Sequence, residues 1–235
     1  MYFVVIKSND FFNLQYRKPD AFIPRHLRYE ITERLSYNGD VISPLAISEL
    51  EPLLTNMQKE GVQAIAVCLL HSYANPEHEQ AIADYIATHW PEVTVVTSHQ
   101  ISREWREYER TNTAALCAYV QPIAAQYLAK MEEALDERGF DGKFYVMQSN
   151  GGIDTVESVK KTPISIVESG PASGVLGAAA LGKLIGVNNI IAFDIGGTTA
   201  KFSLIDNGRV SLTSQYMIEK DERSIAIERA EIESV

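Results

Sequence analysis

The spacing of apolar residues changes several times along the chain, and each change marks an expected element. Residues 2–6 are an apolar run that predicts a short strand. Residues 8–29 mix aromatics, Pro19, Pro24 and basic residues without a period and read as an irregular connection. Alternation from Tyr29 to Leu35 predicts a strand, Asn38-Gly39 a hairpin turn, and Val41-Ile42 the return strand. Leu50, Leu53, Leu54 and Met57 fall at helical spacing, so residues 45–60 are expected to be helical. Ser48 with Glu51 has the form of a capping box, and Gly61 ends the helix. The continuous apolar run Ala64 to Leu70 predicts a buried strand, Glu77 to Trp90 a second helix, and Val93 to Thr97 another strand. Strand–helix–strand of this size is a right-handed crossover in a parallel sheet.

Ser102 is expected to cap a helix over residues 103–119, with Trp105, Tyr108, Ala115 and Tyr119 inward. The charged run Arg103 to Arg110 then forms its solvated face. Pro122 should break or kink that helix, and Ile123, Tyr127, Leu128, Met131 and Leu135 mark the buried side of the next. A strand over 143–148 leads into Ser149-Asn150-Gly151-Gly152, and residues 164–167 read as extended. A small-residue helix over 175–185 follows Ser169-Gly170-Pro171. Gly177 to Lys183 has P-loop spacing, but Leu184 stands where a hydroxyl is needed, so close helix packing is the better account. The tail from Lys220 shows little packing pattern.

One stretch stands out for chemistry. A strand over 190–193 ends in Asp194-Ile195-Gly196-Gly197-Thr198-Thr199, and a second strand runs on through Ile205. Glycines let main-chain N–H groups approach phosphate oxygens, and the hydroxyls of Thr198 and Thr199 add donors. Asp194 would repel phosphate, so its partner is expected to be Mg²⁺ through water. A Gly-Gly turn also occurs in plain hairpins, but the strand-terminal Asp and the threonines favour a phosphate site. Ser149, Asn150, Gly151, Gly152, Ser169 and Gly170 are further candidates. Glycine-bearing turns at the carboxyl ends of parallel strands gather at one crevice, and Ser169-Gly170 also opens a helix. No side chain is assigned as the catalytic group.

Composition narrows the class. The 235 residues are 46% hydrophobic and 22% charged, as in an ordinary globular protein. A net charge of −10 argues against a nucleic-acid-binding surface. The 2 cysteines, Cys68 and Cys117, lie in apolar surroundings and read as buried thiols of a cytoplasmic protein. No apolar run approaches the about 20 residues of a membrane span, and the N-terminus lacks the basic leader of a signal peptide. No pair among the histidines has zinc-helix spacing. His71 and His99, at strand ends, are the two that invite a test.

Phe193 through Thr199 resembles the phosphate motif of the actin, sugar-kinase and heat-shock chaperone ATPases. The stretches Ile65–Glu79, Arg106–Thr111, Met147–Gly152 and Ser169–Val175 follow the order seen in the hydantoinase A and 5-oxoprolinase family. The resemblance covers roughly residues 15–216. It implies an α/β fold of ribonuclease H-like lobes, incomplete here, with a partial first lobe over 1–140 and the start of a second over 141–235. It implies ATP and Mg²⁺ as cofactors, a cyclic amide such as hydantoin or 5-oxoproline as substrate, ring opening as the reaction, and a companion hydantoinase B-type subunit or domain. Phosphorylation of the amide oxygen would make the ring carbon more electrophilic. Many family members carry Asp where Lys201 stands, and they usually begin with an earlier phosphate turn, so an internal piece of a longer enzyme is expected. A kinase of the same fold, an acetone-carboxylase-type subunit, and a non-catalytic binding or assembly fragment are the alternatives.

Overall fold

The computed structural model describes residues 21–197 and 200–211, and the backbone of 215–220 and 223–228. The expected strand over 2–6 lies outside the described residues.

Strands β1 (Arg34–Leu35) and β2 (Val41–Ser43) form an antiparallel hairpin. Gly39 takes φ 90° in its turn, which the Asn38-Gly39 pair anticipates. Helix α1 (Leu50–Lys59) is entered through a 3₁₀ turn, Ile47–Glu49. The capping box at Ser48 does not form: Ser48 sits inside that turn, whereas an N-cap needs extended backbone. Glu49 instead accepts the Thr32 N–H at 2.8 Å. At the other end Gly61 has φ 70°, and Val62 N–H bonds Met57 O, so the expected glycine stop is real.

Strand β3 (Ala64–Val67), helix α2 (Glu77–His89) and strand β4 (Thr94–Thr97) make the expected crossover, with β3 and β4 parallel and Ile65 opposite Val95. Leu50, Leu54, Ile65, Val67, Ile82, Ile86 and Val93 form one core. Val96 points the other way and packs with Ala114, Cys117, Ala118 and Ile164.

Strand β4 runs directly into the short helix α3 (Ser98–Ile101), and helix α4 spans Glu107–Glu137 without interruption. This corrects the helical start at Ser102, the break at Pro122 and the inward aromatics. Trp105, Tyr108, Tyr119, Ile123 and Tyr127 are 66, 56, 73, 69 and 61% exposed. The buried stripe is Arg110, Thr113, Ala114, Cys117 and Ala118, and its small residues let α4 lie close to the sheet.

Strands β5 (Tyr145–Met147) and β6 (Ile153–Thr155) form an antiparallel hairpin, followed by α5 (Val156–Lys161), whose N-cap Thr155 accepts the Ser158 N–H. Residues 163–166 form a 3₁₀ turn rather than the expected extended segment. Helix α6 covers Ser169–Ile185 and so begins earlier than the apolar pattern suggested. Strands β7 (Ile190–Ile195), β8 (Ala200–Asp206) and β9 (Arg209–Val210) form an antiparallel meander, with Asn207-Gly208 as the second turn. Strand β10 (Gln215–Lys220) pairs antiparallel with β11 (Arg223–Glu228), and β11 lies against α4.

Candidate functional site

Asp194 lies next to the end of β7 and is exposed; its cross-strand partner is Lys201. Residues opposite one another in an antiparallel pair share a face, with Cβ atoms about 5 Å apart. That face is the one α6 covers, since Ile190 on the same side approaches Gly182. Lys201 reaches the residue just before α6 and pairs with the Glu168 carboxylate. Glu168 itself holds φ 69°, left-handed backbone that a non-glycine residue adopts at a cost of about 1–2 kcal/mol. Asp194, Lys201, Glu168 and the start of α6 therefore converge beside the glycine turn. Gly196 and Gly197 are exposed, and a Cβ at Gly197 would meet only open space. Thr198 and Thr199 lie outside the described residues.

The glycine turns do not sit on neighbouring parallel strands. Ser149–Gly152 closes the β5–β6 hairpin, the Asp194 turn joins β7 to β8, and both sheets are antiparallel. What links them is α6. Gly151, at φ 81°, lies under Leu176, so a Cβ there would collide with it. The Ser173 hydroxyl donates to Met147 Sδ at 2.7 Å. Ser149 is fully buried; its N–H donates to Ser165 O at 2.8 Å and its hydroxyl to the Ser165 and Val167 carbonyls. Those bonds hold the turn itself. Asn150 Oδ1 accepts the Gly152 N–H at 2.8 Å, which shapes the same turn. Ser169 and Gly170 form the first turn of α6; Gly170 is exposed, with no atom near a would-be Cβ.

A second polar centre lies at the carboxyl edge of β3 and β4. Glu79 of α2 is fully buried and accepts four hydrogen bonds: from Leu69 N–H (2.8 Å), Ser98 Oγ (2.6 Å), His99 N–H (3.0 Å) and His99 Nδ1 (2.8 Å). Burial pushes its carboxyl up, but those bonds outweigh it and hold the pKa below the ordinary 4.5. Arg110 is 1% exposed and donates to Ser98 Oγ, Glu104 O and Leu69 O. This overturns the solvated-face reading of the 103–110 run at its last residue. Cys117 is buried, as expected, and Cys68 partly so. Burial first, then the Glu79 charge, pushes the Cys68 thiol up to about 12, so it stays protonated and unreactive. Among the described residues no group of three or more His, Cys, Asp and Glu could hold a metal ion.

Residues 110–235 match the family model described as hydantoinase/oxoprolinase, and residues 4–90 match that of its N-terminal region. The chain belongs to the hydantoinase/oxoprolinase family. An uncharacterized protein from Methanocaldococcus jannaschii is 40% identical over 88% of this chain and 30% of its own length. The caprolactamase subunit alpha of Pseudomonas jessenii is 29% identical over 86% of this chain and 29% of its own length. The nucleotide-free structure of acetone carboxylase, an ATP-dependent enzyme, superposes with a TM-score of 0.77 at 26% identity, covering 93% of this chain and 34% of that one. The α/β fold is thus the one found in that structure, and the chain spans about 30% of the length of these two curated relatives. The turn after Asp194 lies where the sequence pattern puts it, between β7 and β8, and two features of the structure have no such signal. Glu168 carried no signal beyond its place before a helix. Glu79 stands in a charged stretch beside His78, and its spacing carries no sign of burial. No helix among the described residues is long and apolar enough to cross a membrane.

Proposed function

We propose that this chain supplies the phosphate-holding part of an ATP-dependent enzyme that opens a five-membered cyclic amide such as hydantoin or 5-oxoproline. The observation that carries the reading is the exposed Asp194 carboxylate opposite Lys201, beside a glycine turn and the start of α6. A carboxylate, an ammonium and open main-chain amides fit a magnesium polyphosphate: one anion for the cation, positive donors for the oxygens. Asp194 would hold Mg²⁺ through water, and Gly196, Gly197, Thr198 and Thr199 would hold phosphate. Lys201, paired with Glu168 on the same face, would donate its remaining N–H groups to a phosphate oxygen. Ser169 and Gly170 present the first N–H groups of α6 to the same place. Bound ATP supplies the phosphoryl group that activates the amide oxygen, a transfer in which positioning and charge neutralisation do most of the catalysis. The lobe boundary near residue 140, a companion hydantoinase B-type subunit and a cytoplasmic setting belong to this proposal.

Phosphate release from ATP should be stimulated by hydantoin or 5-oxoproline and not by sugars, which separates the reading from a kinase. Asp194→Ala should lower turnover by about 100-fold or more, with the melting temperature nearly unchanged because the side chain is exposed. Undiminished turnover rejects the role. A ketone-activating carboxylase is the second reading, favoured by the likeness to acetone carboxylase. Stimulation of ATP hydrolysis by acetone in place of cyclic amides identifies it.

A further inference from the structure

A groove of about 600 Å³, open to solvent, lies between the end of α4, β5 and the start of α5. Small-ligand sites occupy about 300–1,000 Å³. Glu132 and Asp136 line the groove from α4, Phe140 and Lys143 from the connection to β5, Tyr145 from β5 and Glu157 from α5. Gly139 ends α4 at φ 73°, and the Phe140 N–H turns back to Leu135 O at 3.0 Å. The Phe140 ring then rests against Gly142, where a Cβ would stand 2.5 Å from its Cζ. That ring is seated and still 46% exposed, and Tyr145 is 45% exposed. Among the described residues no other ring stacks on either, and no cation lies over them. The charges do not cancel. Glu132 is offset by its ion pair with Lys160 of α5. Asp136 and Glu157 then share the groove with a single ammonium, Lys143, which pairs with neither. Arg138 and Asp141, on the same connection, do not line it. The groove is left with one negative charge in excess.

We propose that this groove is a binding site for a guanidinium group. One monocation restores its charge balance. A guanidinium is planar, stacks on aromatic faces and offers paired N–H donors to carboxylates. Its hydration is weaker than an ammonium's, so it reaches a half-exposed ring at less desolvation cost. Phe140 and Tyr145 supply the rings, and Asp136 and Glu157 supply the acceptors from two different helices. A free guanidine and the arginine side chain of another polypeptide share this chemistry. The groove has no residue in common with the Asp194 turn, so the site does not rest on the functional reading above.

The test is a titration of the intact chain, labelled at its phenylalanine and tyrosine rings, with N-acetyl-arginine amide and with butylguanidinium. The Phe140 and Tyr145 resonances should shift together and saturate. Asp136→Asn and Glu157→Gln should each weaken binding by about 3- to 5-fold, the scale of an exposed ion pair. Phe140→Leu keeps apolar bulk but removes the ring face, and should weaken binding by about the same factor. All three side chains are exposed, so the variants should keep the wild-type melting temperature. Glu133→Gln, on α4 but outside the groove, should leave the titration unchanged. Saturation by both probes upholds the site and shows that a free guanidine suffices. Saturation by the arginine amide alone upholds it for an arginine within a polypeptide. Equal saturation by N-acetyl-lysine amide overturns the proposal, because only charge is then read. Unshifted Phe140 and Tyr145 resonances up to the solubility limit of both probes overturn it too, as does a loss in Glu133→Gln equal to that in Asp136→Asn.

Discussion

At the scale of single residues, the most consequential side chains are two whose charge suggested the surface. Glu79 and Arg110 are bridged by Ser98, which donates to the carboxylate and accepts from the guanidinium. Four parts of the chain meet there: the connection after β3 at Leu69, α2, α3 and α4. Removing either charge would leave its donors or acceptors buried without partners. The pKa of Glu79 lies below 4.5, so the carboxylate contributes stability that is fully present above pH 4.5 and lost as pH falls through the lower folded value. Glu79→Gln should therefore destabilise the protein by on the order of 3 kcal/mol at pH 7 in urea melts. The gap from wild type should narrow below pH 4.5. A gap independent of pH would show that packing, not charge, is what Gln disturbs. Arg110 was legible in principle. It lies one turn before Ala114 and two before Cys117, on the small-residue stripe of α4. Its charged neighbours masked that spacing, since a charge run ordinarily faces water.

At the scale of elements, amphipathic spacing located most helices and strands, and it failed where contact surfaces were unusual. Helix α4 defeats the expectation that large aromatic residues mark the core, since Trp105 and Tyr108 before and within its first turn, and Tyr119 and Tyr127 along it, are exposed. A helix laid close against a sheet needs small residues at the contact, and the large ones turn outward. The early start of α6 was missed because Ser169-Gly170-Pro171 looks like a turn; Pro is in fact suited to a first helical turn, where its missing N–H costs nothing. The near P-loop spacing Gly177 to Lys183 separates into two different glycines. Gly182 is buried where α6 meets the segment leading to β7, and an added Cβ would lie 2.5 Å from Val187 O and collide with the Ile190 side chain. Gly177 faces open space. Gly182→Ala should cost about 1–3 kcal/mol through overpacking against backbone. Gly177→Ala should stabilise by about 0.5–1 kcal/mol, as alanine loses less entropy in a helix. Thermal melts of the two variants moving in the same direction would refute the packing assignment.

At the scale of the whole molecule, the two kinds of sheet dictate different surroundings. The parallel pair β3–β4 is covered on both faces, by α1 and α2 on one and α4 on the other, which is why β3 is continuously apolar and β4 carries Val95 and Val96 between its threonines. Among the described residues, the meander β7–β8–β9 has α6 on one face only. The other carries Ile191, Phe193, Ile195, Phe202 and Leu204, exposed by 65, 64, 71, 69 and 64%. A bare apolar face of this kind is rare on a soluble monomer. It also explains why period alone could not orient these strands: polar Asp194 and Lys201 lie on the face that packs, while apolar residues face out. The candidate phosphate site thus sits on the covered side, at the rim where α6 begins. The bare side should govern how this chain behaves in solution. Ile191 and Leu204 are opposite one another in the β7–β8 register. Replacing them together, Ile191→Lys with Leu204→Glu, puts complementary charges on a cross-strand pair and should keep the strands paired. Concentration-dependent light scattering and binding of a hydrophobic dye should both fall, with the melting temperature little changed, because neither side chain is in the core. Scattering that persists unchanged would place the association on another surface, and a collapse in melting temperature would mean that this face is packed in solution after all.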